Sequence, residues 1–271
     1  MRSHKEQAID NNIIKTLESF KLSGKALLLA KLILNDKETQ AIQEYANTVS
    51  IVRLGINDHG PVHMRIVVQN ILKMAKLLKD AGIKTSLEKE EVGNFEDSLM
   101  AMMLAGMFHD AGMGVGRQGH ETHSTYIAYP IISRLIAGIY EKDIYKQVVI
   151  RSIALEGIAG HMGNRTIHSL EAGLVQIADG CDMTMGRARI PMAINDTPKT
   201  GYIHQISASS IEKVKITAGK EKPIRIDVSM SSEVGLFQVE EVLLVKIAAS
   251  TAKPYIELYA QVREEEAKQY L

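Results

Sequence analysis

Six of the nine histidines in this chain fall between positions 59 and 161: His59, His63, His109, His120, His123 and His161. His109 is followed at once by Asp110, and Asp179 ends the otherwise apolar run Val175-Gln176-Ile177-Ala178. Imidazole nitrogens beside carboxylate oxygens suit Mn, Fe, Co, Ni, Zn or Mg better than a thiolate-seeking ion, so the first chemistry these residues suggest is binding of divalent metal. The plainer reading of His109-Asp110 is a hydrogen-bonded pair that caps a helix, because a His-Asp dipeptide is common by chance. Its placement adds weight to the metal reading. Residues 99–108 are apolar almost all round, as in a helix buried in a core, and they deliver both polar side chains to an interior where a charge needs a partner.

Further donors lie at comparable places. His63 opens the amphipathic helix expected over 62–80, which starts just after Pro61 and carries Ile66, Val67, Ile71, Met74 and Leu78 at helical spacing. His120 and His161 stand at the edges of neighbouring segments, each beside a glycine, as loop residues turned toward a site often are. Asp179 lies in the helix expected over 169–184, where an acid in an apolar stretch needs explaining. Arg117 belongs to the glycine-rich turn over 111–119, next to the His-Asp pair. Arg65, Arg187 and Arg189 read either as phosphate contacts or as surface pairs of little consequence. His123 is either an alternative ligand or a packed helix residue. Asp182 either supports a metal-bound histidine or is an ordinary helix-face carboxylate. His59 reads as a loop residue, and His4, His168 and His204 receive no role.

Positioning these side chains falls to a helical frame. Residues 1–48 form a helical lead-in with a break at Ser23-Gly24, 84–97 read as an exposed connection, and helices are expected over 121–139, 143–159 and 169–184. After Pro191 the period changes to two. Ile211, Val214 and Ile216, then Ile224, Ile226, Val228 and Met230, then Ile256, Leu258, Ala260 and Val262 are strand signatures, with a helix over 234–250 between the second and third. The last residues, 264–271, read as a solvated tail or frayed helix end. The expected fold is mainly α: a lead-in (1–48), an all-helical domain (49–195) and a small α+β domain of strand-strand-helix-strand order (200–271).

Composition narrows the function classes. At 271 residues with 45% hydrophobic content the chain has ample core, and 32 basic against 32 acidic residues give no overall field for a nucleic acid or an acidic membrane. With no Trp, base stacking on aromatic platforms is a poor guess. The polar start is not a secretory signal, and the longest apolar runs, 26–34 and 99–108, are too short to span a bilayer. A single cysteine, Cys181, fits a reducing compartment, so a cytoplasmic location is expected.

The order and spacing of these residues resemble the HD superfamily of metal-dependent phosphohydrolases. His63-Met64-Arg65-Ile66-Val67 looks like that family's first motif, Phe108-His109-Asp110-Ala111-Gly112 like its name-giving motif, and Ile177-Ala178-Asp179-Gly180-Cys181-Asp182 like its closing motif. His120 and His161 fall where many members carry further histidines, and the likeness covers about residues 50–190. The resemblance implies that His63, His109, Asp110 and Asp179 hold one metal, with Asp110 as the catalytic bridge to a second bound by His120 and His161; should only the first four bind, a single metal still activates water. It further implies hydrolysis of a phosphomonoester or phosphodiester bond by metal-activated water, on a nucleotide or other small phosphorylated molecule. A homodimer is also implied, since members often form dimers. Many members place Lys where this chain has Met113, so a phosphate-binding cation must come from elsewhere, and Arg117 is the nearest candidate. No Gly-Tyr-Pro element follows residue 110, so cyclic di-GMP is not assigned. The alternative is a catalytically weak, nucleotide-sensing regulatory protein with the same metal site. A less favoured third reading is a di-iron redox enzyme.

Overall fold

The computed structural model describes residues 2–187 and 202–271. The lead-in folds as α1 (His4–Ser19), α2 (Lys25–Asn35) and α3 (Lys37–Thr48). The body consists of α4 (Pro61–Asp80), the short α5 (Ser86–Lys89), α6 (Phe95–Phe108), α7 (His120–Tyr140), α8 (Ile144–Gly160) and α9 (Leu170–Gly180). All of α6 is buried: residues 99–108 are apolar, and the polar first turn is satisfied inside, Glu96 accepting from the Gly24 and Ala26 N–H groups, Asp97 from Lys146, and Ser98 donating to Glu171. It starts at a capping box in which Asn94 and Asp97 satisfy each other's backbone N–H groups, and it packs against α4, α8 and α9. Close packing depends on small residues. A Cβ on Gly106 would lie 2.8 Å from Val68 of α4, and one on Gly157 of α8 would lie 2.9 Å from Ala105 of α6.

In the second described stretch, α10 (Tyr202–Ser210) leads into β1 (Ile211–Ala218) and β2 (Ile224–Met230). A helical segment follows: α11 (Leu236–Gln238), a wider π turn over Val239–Leu243, and α12 (Leu244–Ala249). The chain then enters β3 (Ile256–Val262) and β4 (Lys268–Gln269). The sheet order is β1-β2-β3-β4, antiparallel at β1/β2 and β3/β4 and parallel at β2/β3, where Ile224 pairs with Ile256 and Met230 with Val262. The parallel step is made by the helical segment, as such a crossover demands. Ile224, Ile226, Val228 and Met230 alternate onto the buried face, and the sheet lies against α4.

Mainly helical with a small C-terminal α+β unit is therefore the observed architecture. Three local expectations differ. The connection over 84–97 is exposed only in part: Lys84, Lys89, Glu90, Glu91 and Asn94 face out, but Thr85 and Leu87 are buried where the Glu171 carboxylate of α9 accepts from the Ser86 and Leu87 N–H groups, both at 3.1 Å. The helix expected to 184 stops at Gly180. Residues 264–271 do not fray; Lys268 and Gln269 pair with Ala260 and Tyr259 and cover the β3 edge. The helix α10, with three Ser among its nine residues, had no counterpart in the expected fold. The expected domain boundary at 195–200 and Arg189 lie outside the described residues.

Candidate metal centre

Five helix ends converge on one point of the interior. His63 is the third residue of α4, His109 is the C-cap of α6 with Asp110 next to it, His120 is the first residue of α7, His161 is the C-cap of α8, and Asp179 lies in the last turn of α9. The first five of these side chains are at most 3% exposed and Asp179 is 7% exposed as a residue. The tight turn that brings α6 to α7 needs a residue without Cβ: one on Gly112 would sit 2.1 Å from the His120 carbonyl oxygen.

Helix termini also fix which ring nitrogen faces the centre. The Nδ1–H of His109 donates to the Gly106 carbonyl (2.9 Å), that of His161 to Ile158 (2.7 Å) and that of His120 to Arg117 (2.9 Å). A carbonyl only accepts, so each Nδ1 carries the proton and each Nε2 presents its lone pair. His63 follows the same logic with a carboxylate, its Nδ1–H donating to Asp182 Oδ2 at 2.7 Å. The helix-cap reading and the metal reading of His109 thus both hold, on different nitrogens.

Four Nε2 lone pairs then meet. His63 and His109 approach to 3.0 Å and His120 and His161 to 3.1 Å, contacts that no N–H fills when the rings are neutral. Asp110 divides its oxygens between the pairs. Oδ2 lies 3.3 Å from both His63 and His109, and Oδ1 lies 3.2 Å from His120 and 3.5 Å from His161. Asp179 Oδ1 adds to the first pair, 3.2 Å from His63 and 3.7 Å from His109. Donors bound at about 2.1 Å to one ion lie about 3.0 Å apart in an octahedron and about 3.4 Å apart in a tetrahedron, so these separations fit divalent cations. Two groups of buried donors, His63-His109-Asp110 and Asp110-His120-His161, share one carboxylate.

The electrostatics call for positive charge at this point. Burial and Arg187 push His63 down, but its bonds to Asp110, Asp179 and Asp182 outweigh them and lift it to about 10. His109 is likewise raised, by Asp110 and Asp179 against burial. Burial dominates at His161, which falls to about 4. Asp110 and Asp179 stay well below the usual carboxylate range despite burial, held there mainly by His109 and Lys246 respectively.

A cavity of about 500 Å³ opens beside the centre, and Asp110, His161, Asp179 and Asp182 line it. Arg117 lies on its rim, exposed, with Nη1 3.3 Å from His59 Nε2. All six expected metal donors are therefore together, and Arg117 faces the same cavity. Asp182 lies past the end of α9 and accepts from the His63 ring, so it is not an ordinary helix-face carboxylate. Arg65 is neither a phosphate contact nor a surface pair: it is fully buried and bonded to Asp10 Oδ1 at 2.7 Å. His123 is not among the converging donors, and Cys181 is a buried thiol pushed up to about 12 by burial.

Sequence reasoning missed His59, His204 and Lys246, all of which line the cavity. His59 is buried, its Nδ1 bonded to the Asn57 carbonyl, and burial holds it well below the usual histidine range. Lys246 Nζ donates to Asp179 Oδ2. The available signal was its helical register: Val239, Leu243 and Lys246 fall on one face, so a cation sat on an apolar stripe.

Fold and site define a mainly helical protein with a buried His/Asp centre that could hold metal, and among the described residues no helix is long and apolar enough to cross a membrane. No family model matches the chain, and no solved structure matches it. It is 38% identical over 244 residues to "Uncharacterized protein MJ1020" of Methanocaldococcus jannaschii, covering 90% of this chain and 92% of that one. The chain belongs to the family of that archaeal protein.

Proposed function

We propose that the protein is an HD-type metal-dependent phosphohydrolase acting on a phosphomonoester or phosphodiester bond of a nucleotide or other small phosphorylated molecule. One observation carries this reading: two groups of histidine lone pairs share the two oxygens of Asp110 at the wall of a cavity. Divalent cations bound there would lower the pKa of water and neutralise the charge of a phosphoryl group. The chain's own part is to hold them. Asp182 and three backbone carbonyls fix the rings, Asp110 joins the two groups, and the cavity's 500 Å³ lies within the range of small-molecule sites. Met113, buried where many HD members carry Lys, favours a second reading, a nucleotide sensor with the same metal site.

Metal content per chain, measured by mass spectrometry on untagged wild-type protein and Asp110→Ala, tests the proposal. About two divalent ions in the wild type, none in the variant, and turnover of phosphoesters lost with them are the expected results. A wild-type chain that binds no Mn, Fe, Co, Ni or Zn on titration overturns it. Bound metal with tight nucleotide binding and no turnover selects the sensor.

A further inference from the structure

A phosphohydrolase needs a cation to face the phosphoryl oxygens, and Met113 is not one. Arg117, Arg187 and Lys246 are the cations lining the cavity among the described residues. They are placed very differently. Arg117 is exposed at the rim. Arg187 commits two of its five N–H donors to the chain, with Nε 2.9 Å from the Asp58 carbonyl and Nη1 2.9 Å from the Asp182 carbonyl, and these fix its fork outside the donor groups. Lys246 is 7% exposed and reaches the centre itself. Its Nζ meets Asp179 Oδ2, while the other oxygen of the same carboxylate faces His63 and His109. Lysine is almost never buried so deeply without a reason.

The fold goes to some length to put it there. Lys246 comes from the C-terminal unit, and α9 bears two glycines, Gly173 and Gly180, where that unit docks. A Cβ on Gly173 would fall 2.2 Å from Thr251 Oγ1, and one on Gly180 would fall 3.2 Å from the Lys246 Cδ. Thr251 and Ser250 then fasten the end of the segment to the Ser169 and Gly173 carbonyls, at 2.7 and 2.9 Å. The π turn Val239–Leu243 lies one turn before Lys246, an irregularity that recurs at functional sites. An ammonium group has three N–H donors, and Asp179 takes one.

We infer that Lys246 is the phosphate-binding cation of this centre, so that the C-terminal unit forms one wall of the active site. This rests on the phosphohydrolase reading. The ammonium stands one carboxylate away from the first donor group and inside the cavity, where a phosphoryl oxygen held at that group takes its remaining N–H bonds. Neighbouring Gln238 and Glu241, also from the C-terminal unit and also lining the cavity, extend the same wall.

The test uses the full chain loaded with Mn, comparing wild type with Lys246→Met, Lys246→Gln and Lys246→Arg. Metal content is measured by mass spectrometry, inorganic phosphate affinity by calorimetry, and folding by thermal melting. Removing one charge-assisted bond weakens phosphate binding about tenfold or more in the Met and Gln variants, with metal content unchanged and partial recovery in Lys246→Arg. Gln keeps a donor for Asp179, so a fold lost in the Met variant does not decide the outcome. Unchanged phosphate affinity in folded variants overturns the inference and leaves the phosphohydrolase reading standing. Lost metal in those variants overturns it as well, since Lys246 would then only hold Asp179 in place. A wild type that binds Mn yet no phosphate removes both.

Discussion

His63 and Arg65 are two residues apart on α4, both fully buried, and they lead to opposite outcomes. Arg65 brings donors to acceptors. Its Nε meets Asp10 Oδ1 at 2.7 Å and its Nη1 meets Gln43 Oε1 and the Pro61 carbonyl, both at 3.0 Å, so α1, α3 and α4 are tied together by a pair nearly satisfied within the chain. His63 brings lone pair to lone pair, facing His109 at 3.0 Å and two carboxylates at 3.2 and 3.3 Å. A buried polar cluster is therefore not a functional signal in itself. What distinguishes the second cluster is that its groups all accept, which leaves a deficit of positive charge that only a bound cation or added protons can fill.

Changes on the two faces of α4 should separate these roles. The largest effect is expected at Asp182, whose carboxylate orients the His63 ring: Asp182→Ala lowers metal affinity about 10- to 100-fold in a titration, with little change in fold. An unaltered affinity there would place His63 outside the metal set. Next comes pH. His63, raised to about 10, is protonated at neutral pH when no metal is bound, and a protonated ring cannot ligate, so binding must expel that proton. Affinity then rises about tenfold per pH unit between pH 7 and 9, and calorimetry in buffers of different ionisation enthalpy detects about one proton released. A pH-independent affinity breaks the comparison at its electrostatic root. The smallest effect on the centre belongs to Arg65→Met. It costs about 1–3 kcal/mol of stability by leaving the buried Gln43 oxygen and Pro61 carbonyl without their donor, while Arg2 still pairs with Asp10 at 2.8 Å; urea unfolding reads the loss, and metal per folded chain stays the same.

The frame was readable because its signals are local. The apolar run before His109, the stripe of α4 and the alternation of β2 each report their own element through a period of 3.6 or 2. The six donors were legible for a related reason: they are histidines and acids in places where apolar residues or glycines surround them. Arg65 was misread because a charged residue on a helix is ordinarily solvated, and nothing near it in the chain announces Asp10 and Gln43. Lys246 lies 67 residues from its partner Asp179, and its odd place on an apolar stripe was one residue in a helix of otherwise modest pattern.

From sequence alone came the helical class, the strand-bearing C-terminal unit and the kinds of atoms available to a cation. Tertiary structure alone decided that Asp110 turns one oxygen to each histidine pair, that backbone carbonyls and Asp182 lock every Nε2 inward, and that a lysine from the second unit enters the same cavity. The division has a physical cause. Secondary structure follows from neighbours along the chain, whereas ligand geometry depends on where five helix ends arrive, which is set by close packing at Gly106, Gly112, Gly157 and Gly180 across distances no local pattern encodes.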